Sequence, residues 1–156
     1  MEFEANRQVA THQIHEPCPY CAAEGMLRIT QSAIHGALRW YEWLNCQKCQ
    51  TITESGGGGL PPDAIRERLL SEHGEWALLL ESISSTQDAA KTLRQNLGLD
   101  SRDALQRVRA GHSQGVFSGT RVECEWLADK LTLSSEHQIV QRRTAPEGTL
   151  PGDPVA

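Results

Sequence analysis

The chain has 156 residues, of which 38% are hydrophobic, and a formal net charge of −5. That length allows one ordinary domain or two very small ones. The acidity argues against a general nucleic-acid binder, which needs clustered Lys and Arg for phosphate contacts, and no apolar run approaches the ~18 residues that span a bilayer.

The first residues, MEFEANRQVATHQIHEP, contain neither a basic region nor an apolar run and are not expected to act as a signal peptide. A reducing cytoplasm is the expected compartment, where paired cysteines bind metal more often than they form disulfides. Two such pairs follow. Cys18 and Cys21 stand in C-P-Y-C, Cys46 and Cys49 in C-Q-K-C, with 24 residues between the pairs. A CxxC turn puts two thiolates on one side of a tight loop, and two such turns joined by a hairpin complete a tetrahedral four-sulfur shell. The spacer reads as that hairpin: MLRIT and LRWYEWLN have strand composition, and QSAIHG between them has turn composition. A redox CxxC would need a strand–helix unit beside one motif and would leave the other unexplained.

On these two motifs, residues from about 14 to 56 resemble the zinc ribbon family. Zn²⁺ is the expected cofactor, held by Cys18, Cys21, Cys46 and Cys49. Its role is structural, because four thiolates close the coordination sphere and leave no position for water. His12, His15 and His35 lie nearby and are expected to be exposed loop residues rather than ligands.

Next comes ESGGGGLPPDAIRERLLSEHGEW. Gly56 to Gly59 are expected to form a flexible hinge, because four successive glycines are costly to order. They lack the Lys-Ser/Thr ending of a phosphate-binding loop. Pro62 suits the first turn of a helix with an apolar stripe of Ile65, Leu69 and Leu70 and a stop at Gly74; the RER within it is expected to be a solvated face. WALLLESI, Trp76 to Ile83, predicts a buried strand.

STQDAAKTLRQNLGLDSRDALQRVRAG predicts two helices. Ala89, Leu93 and Leu97 line the first, which Gly98 ends; Ala104, Leu105 and Val108 line the second, which stops before Gly111. In HSQGVFSGT, Val116 and Phe117 are expected to dip into the core. A third helix runs from about Thr120 to Leu131, with Cys124 a small buried residue among Val122, Trp126, Leu127 and Leu131. EHQIVQRR reads as a closing strand, and the Pro/Gly-rich tail from Thr144 as disordered. The expected fold class is α+β: a four-cysteine ribbon over 1–55, a glycine hinge and connecting helix over 56–74, a small β-α-α-α-β domain over 75–143, and a tail over 144–156.

The segment KTLRQNLGLDSRDA is similar to V-R-x-x-T-G-L-G-L-K-E-A of the C-terminal domain of the bacterial ribosomal stalk protein. Lys91, Leu93, Arg94, Gly98, Leu99 and Ala104 match; Arg102 replaces Lys and Asp103 replaces Glu. Asp100 and Ser101 stand where the family has its second glycine and following leucine. The resemblance covers about Trp76 to Gln141. It implies a small domain presenting a helical face, with Lys91, Arg94 and Arg102, to a protein partner and performing no chemistry of its own.

No nucleophile elbow or metal-base motif occurs, so the chain is read as a binder, not an enzyme, with no small-molecule substrate and no membrane partner. The expected partner is a protein. A bacterial toxin neutralised by an immunity-type protein and a component of the translation machinery are the two candidates. Nucleic acid bound through the ribbon is the alternative: Trp40, Tyr41 and Trp43 offer aromatic surface, but only Arg28, Arg39 and Lys48 supply nearby positive charge.

Overall fold

The computed structural model describes residues 8–142. Among these residues the fold is mixed α+β, with two antiparallel sheets and four helices. The tail assigned to 144–156 lies outside the described residues.

The first sheet runs in the order β1 (Gln8–Pro17), β2 (Glu24–Ile34), β3 (Ala37–Asn45) and β4 (Ile52–Gly58). Its inner face follows a period of two: Leu27, Ile29 and Gln31 on β2 are buried, as are Leu38 and Leu44 on β3. β2 and β3 are longer than expected, because their connection is only His35 and Gly36. Both have positive φ, 51° and 75°, as a two-residue hairpin turn matched to strand twist requires. Gln31 to Ile34 of the expected turn are therefore strand.

β1 and β4 are strands that the sequence pattern does not mark. The glycine hinge is corrected outright: Gly56, Gly57 and Gly58 are strand residues opposite Tyr41, Trp40 and Arg39. The Trp40 indole lies where a side chain on Gly57 would go, with three ring atoms 3.0–3.1 Å from an ideal Cβ. An aromatic ring laid over a bare strand restores contact that glycine itself lacks. The chain breaks at Gly59, with φ of 79°.

Helix α1 (Asp63–His73) has Pro62 as N-cap residue and Gly74 as C-cap, and it places Ile65 and Leu69 against Leu27, Ile29 and Leu44 of the first sheet. β5 (Trp76–Ile83) is the centre of the second sheet, in the order β6-β5-β7, with β6 at Phe117–Gly119 and β7 at Ser135–Gln141. Val116 and Phe117 are both buried, as expected, and Phe117 opens the short strand β6. Helices α2 (Thr86–Leu97) and α3 (Ser101–Arg109) bury Ala89, Ala90 and Leu93, and Ala104 and Val108. Gly98 ends α2 in the left-handed conformation, with φ of 66°.

Helix α4 (Arg121–Leu131) joins the two halves. Ala10 and Leu38 of the first sheet share one apolar cluster with Leu78 and Leu80 of the second and with Val122, Trp126 and Leu127 of α4. The Trp126 indole N–H also donates to the Gly36 carbonyl, 3.2 Å away, at the β2–β3 turn. A helix held between two sheets must be apolar on more than one face.

Candidate metal centre

In an antiparallel sheet ordered β1-β2-β3-β4, the β1–β2 and β3–β4 connections leave from the same end. Those connections hold the two CxxC motifs, and β2 pairs directly with β3 from Met26 opposite Asn45 onward. The sheet therefore sets one knuckle beside the other. The knuckles share a backbone plan: the Cys18 N–H donates to the Ala23 carbonyl at 2.7 Å, and the Cys46 N–H to the Thr51 carbonyl at 3.0 Å. The residue after the second cysteine is left-handed in both, Ala22 with φ of 61° and Gln50 with φ of 59°.

All four Sγ atoms lie within 4.8 Å of one another. Cys18 and Cys49 are 3.7 Å apart, and Cys21 and Cys46 are 3.5 Å apart. A tetrahedron with metal–sulfur bonds of ~2.3 Å has edges of about 3.8 Å, whereas a disulfide would require ~2.05 Å. The cysteines are positioned to bind a metal ion, in a zinc-ribbon-like arrangement. Cys18 and Cys46 are buried, Cys21 is half-buried and Cys49 is exposed.

The surroundings ease ionisation unevenly. The hydroxyl and backbone of Thr51 lower Cys49 to about 6, the hydroxyl oxygen lying 3.2 Å from Sγ. Backbone hydrogen bonding from Cys49 lowers Cys46. At Cys21 the backbone of Ala23 lowers the value, but burial and the neighbouring thiols outweigh it and push the thiol up to about 11.

The histidines stand apart from this group. His12 and His15 lie on β1 rather than in a loop, His12 half-buried with Nδ1 3.4 Å from Glu72, His15 exposed and facing Glu24 at 3.6 Å. The His12–Glu72 contact is an ion-pair distance without hydrogen-bond geometry, so Nδ1 has no hydrogen-bond partner. His35 is in the turn at the opposite end of β2. Cys124 is buried on α4, as expected, and burial pushes its thiol up to about 12. Lys91 and Arg94 on α2 and Arg102 on α3 are exposed, over the inward-facing Leu93 and Ala104.

A buried polar network escaped the sequence reading. Glu123 is wholly buried, and Arg66 of α1 binds both its oxygens, at 3.2 and 3.1 Å from Nε. Gln31 of β2 donates to Glu123 at 2.8 Å, and the Thr120 hydroxyl donates to Gln31 at 2.6 Å. The Thr120 N–H in turn donates to Glu123, completing a capping box at the start of α4. Gly119 is needed here, because a Cβ would collide with the Glu123 carboxylate. The RER of α1 is solvated only in part: Glu67 is exposed, Arg68 pairs with Glu16 at 2.7 Å near the surface, and Arg66 turns inward to hold Glu123. The available signal was T-R-V-E, a capping-box pattern ahead of an apolar run.

No family model, curated protein or solved structure matches the chain.

Proposed function

We propose that the four cysteines hold one structural Zn²⁺ and that the chain is a non-catalytic cytoplasmic protein that binds another protein. The observation carrying this is the closed set of four Sγ atoms within 4.8 Å: a metal with four thiolate ligands has no place for substrate or water and serves to hold shape. What that shape presents includes the exposed basic residues Lys91, Arg94 and Arg102. Two partners fit: a toxin neutralised by an immunity-type protein, and a translation component met by an adaptor. The run of β5, two helices, β6, α4 and β7, together with the Leu97-Gly98-Leu99 turn, supports the adaptor through its similarity to the ribosomal stalk domain.

Elemental analysis is expected to find about one zinc per chain by that stoichiometry, and cross-linking of the whole chain in cells a discrete protein partner. A chain whose ribbon stays folded metal-free, or that recovers only nucleic acid, would reject the proposal. A second use, binding of single-stranded nucleic acid, is favoured by one face of the first sheet. Arg39 and Tyr41 line a depression of about 430 Å³ there, and Arg28 lies over the neighbouring Trp43 at 5.6 Å. Stacking with strong salt dependence would identify it.

A further inference from the structure

The α2–α3 turn, β6 and the segment entering α1 enclose a cleft of about 480 Å³. Its floor is apolar. Leu60, Leu97 and Leu99 are half-buried residues packed on the core, and Phe117 beside them is buried. Such half-covered leucines offer the outer part of their side chains to an incoming group.

The wall is basic, with three arginines and a single carboxylate, Glu75, among its described residues. They are not equivalent. Arg66 is matched by Glu123 and stacks over Phe117 at 5.5 Å, so it supplies a flat surface rather than free charge. Arg142 spends one N–H on the Gln114 carbonyl, 3.1 Å away. Arg107 is exposed on α3 and has no ion-pair partner among the described residues. An apolar floor under unmatched guanidinium groups complements a ligand with carboxylates around an apolar anchor.

We propose that this cleft docks an acidic peptide segment of a protein partner, with one apolar side chain on Leu97, Leu99 and Phe117 and carboxylates on Arg107 and Arg142. It deepens, and rests on, the protein-binding function proposed above. None of Lys91, Arg94 and Arg102 lines this cleft.

The test is a titration of the isotope-labelled full chain, zinc-loaded, with the acetylated peptide Asp-Glu-Leu-Phe-Glu-Asp and with its Lys-substituted counterpart. The acidic peptide is expected to give saturable shifts at the amides of Leu97, Leu99, Gly115 and Phe117, and the basic one none. Arg107→Glu should weaken binding at least tenfold; because Arg107 is exposed, the variant should fold. Leu99→Ala should weaken it severalfold, and Lys48→Glu, exposed in the second knuckle, should leave it unchanged. No saturation at millimolar peptide, or equal affinity for Arg107→Glu, overturns the proposal. So does binding that maps to Tyr41 and Trp43. A protein partner captured equally by wild type and Arg107→Glu would remove the cleft and leave the protein-binding function standing. Peptide binding in the cleft with no protein captured by the whole chain would do the reverse.

Discussion

At the knuckle end of the first sheet, Tyr20 is 67% exposed, and Ala22, Gln47, Lys48 and Gln50 also face solvent. On the inner face of the same sheet, α4 buries seven of its eleven residues and Glu123 among them. One region has four sulfurs and almost no apolar cover; the other has dense packing and a buried ion pair. Small loops cannot bury enough apolar surface to order themselves, so a metal replaces the core that is missing. Where two sheets meet a helix, burial supplies the free energy, and the polar network then selects which surfaces meet. The two are linked through β2, which runs from the first knuckle to Gln31.

The contrast breaks most sharply at the cysteines. Structural zinc in small units is worth on the order of 10 kcal/mol of apparent binding energy. Cys46→Ser should therefore strip protection from the amides of both knuckles in hydrogen exchange. α4 and β5 should stay protected, since their contacts do not pass through the metal. Simultaneous loss at both ends would mean that the sheet cannot persist without its metal.

At the other region, Glu123→Ala leaves Arg66, Gln31 and Thr120 without their shared acceptor. Breaking a buried pair from one side costs about 3–5 kcal/mol, and the 25% exposure of Arg66 places this case toward the lower figure. The urea midpoint should fall accordingly while zinc content is unchanged. Arg66→Met in the same background should cost less than additively, because the orphaned charge is gone. Additive losses would show that the two residues do not act as a pair.

Smaller effects come from the bare strand between the two regions. Gly57→Ala puts a methyl group against the Trp40 indole, at 3.0–3.1 Å, and should cost about 1–3 kcal/mol by overpacking. Gly58→Ala, with nothing nearer than 3.9 Å, should be close to neutral. A displaced Trp40 indole N–H resonance in the first variant alone would confirm the contact; equal melting points for the two would refute it.

Thiol chemistry offers the finest distinction. In chelated protein at neutral pH, the four knuckle cysteines, released from the metal, should be alkylated well before Cys124, which burial raises to about 12. Mass spectrometry of partly alkylated protein reads this order. For Cys124 the folded chain keeps a proton that the unfolded chain releases once pH exceeds the ordinary 9.0. Its contribution to stability is thus full below that value and is lost as pH rises toward 12. A Cys124→Ala variant should lose less stability over that alkaline range than the wild type.

Much was legible without coordinates. The two CxxC motifs announce a metal centre because ligand type and spacing are local properties. Gly74, Gly98 and the apolar periods mark the ends and inner faces of α1, α2 and α3, since capping and amphipathicity are also local. WALLLESI could be read as a buried strand from its run alone. Tertiary structure decided the rest. Gly56 to Gly58 become strand only because β3 pairs with them, with the Trp40 indole laid over Gly57. β1 becomes strand only because β2 offers it an edge; its own residues alternate too weakly to show. Gln31, Arg66, Thr120 and Glu123 are polar residues whose burial depends on one another, and no window of sequence contains all four. Local chemistry is written in neighbouring residues, while the pairing of distant polar groups exists only once the chain has brought them together.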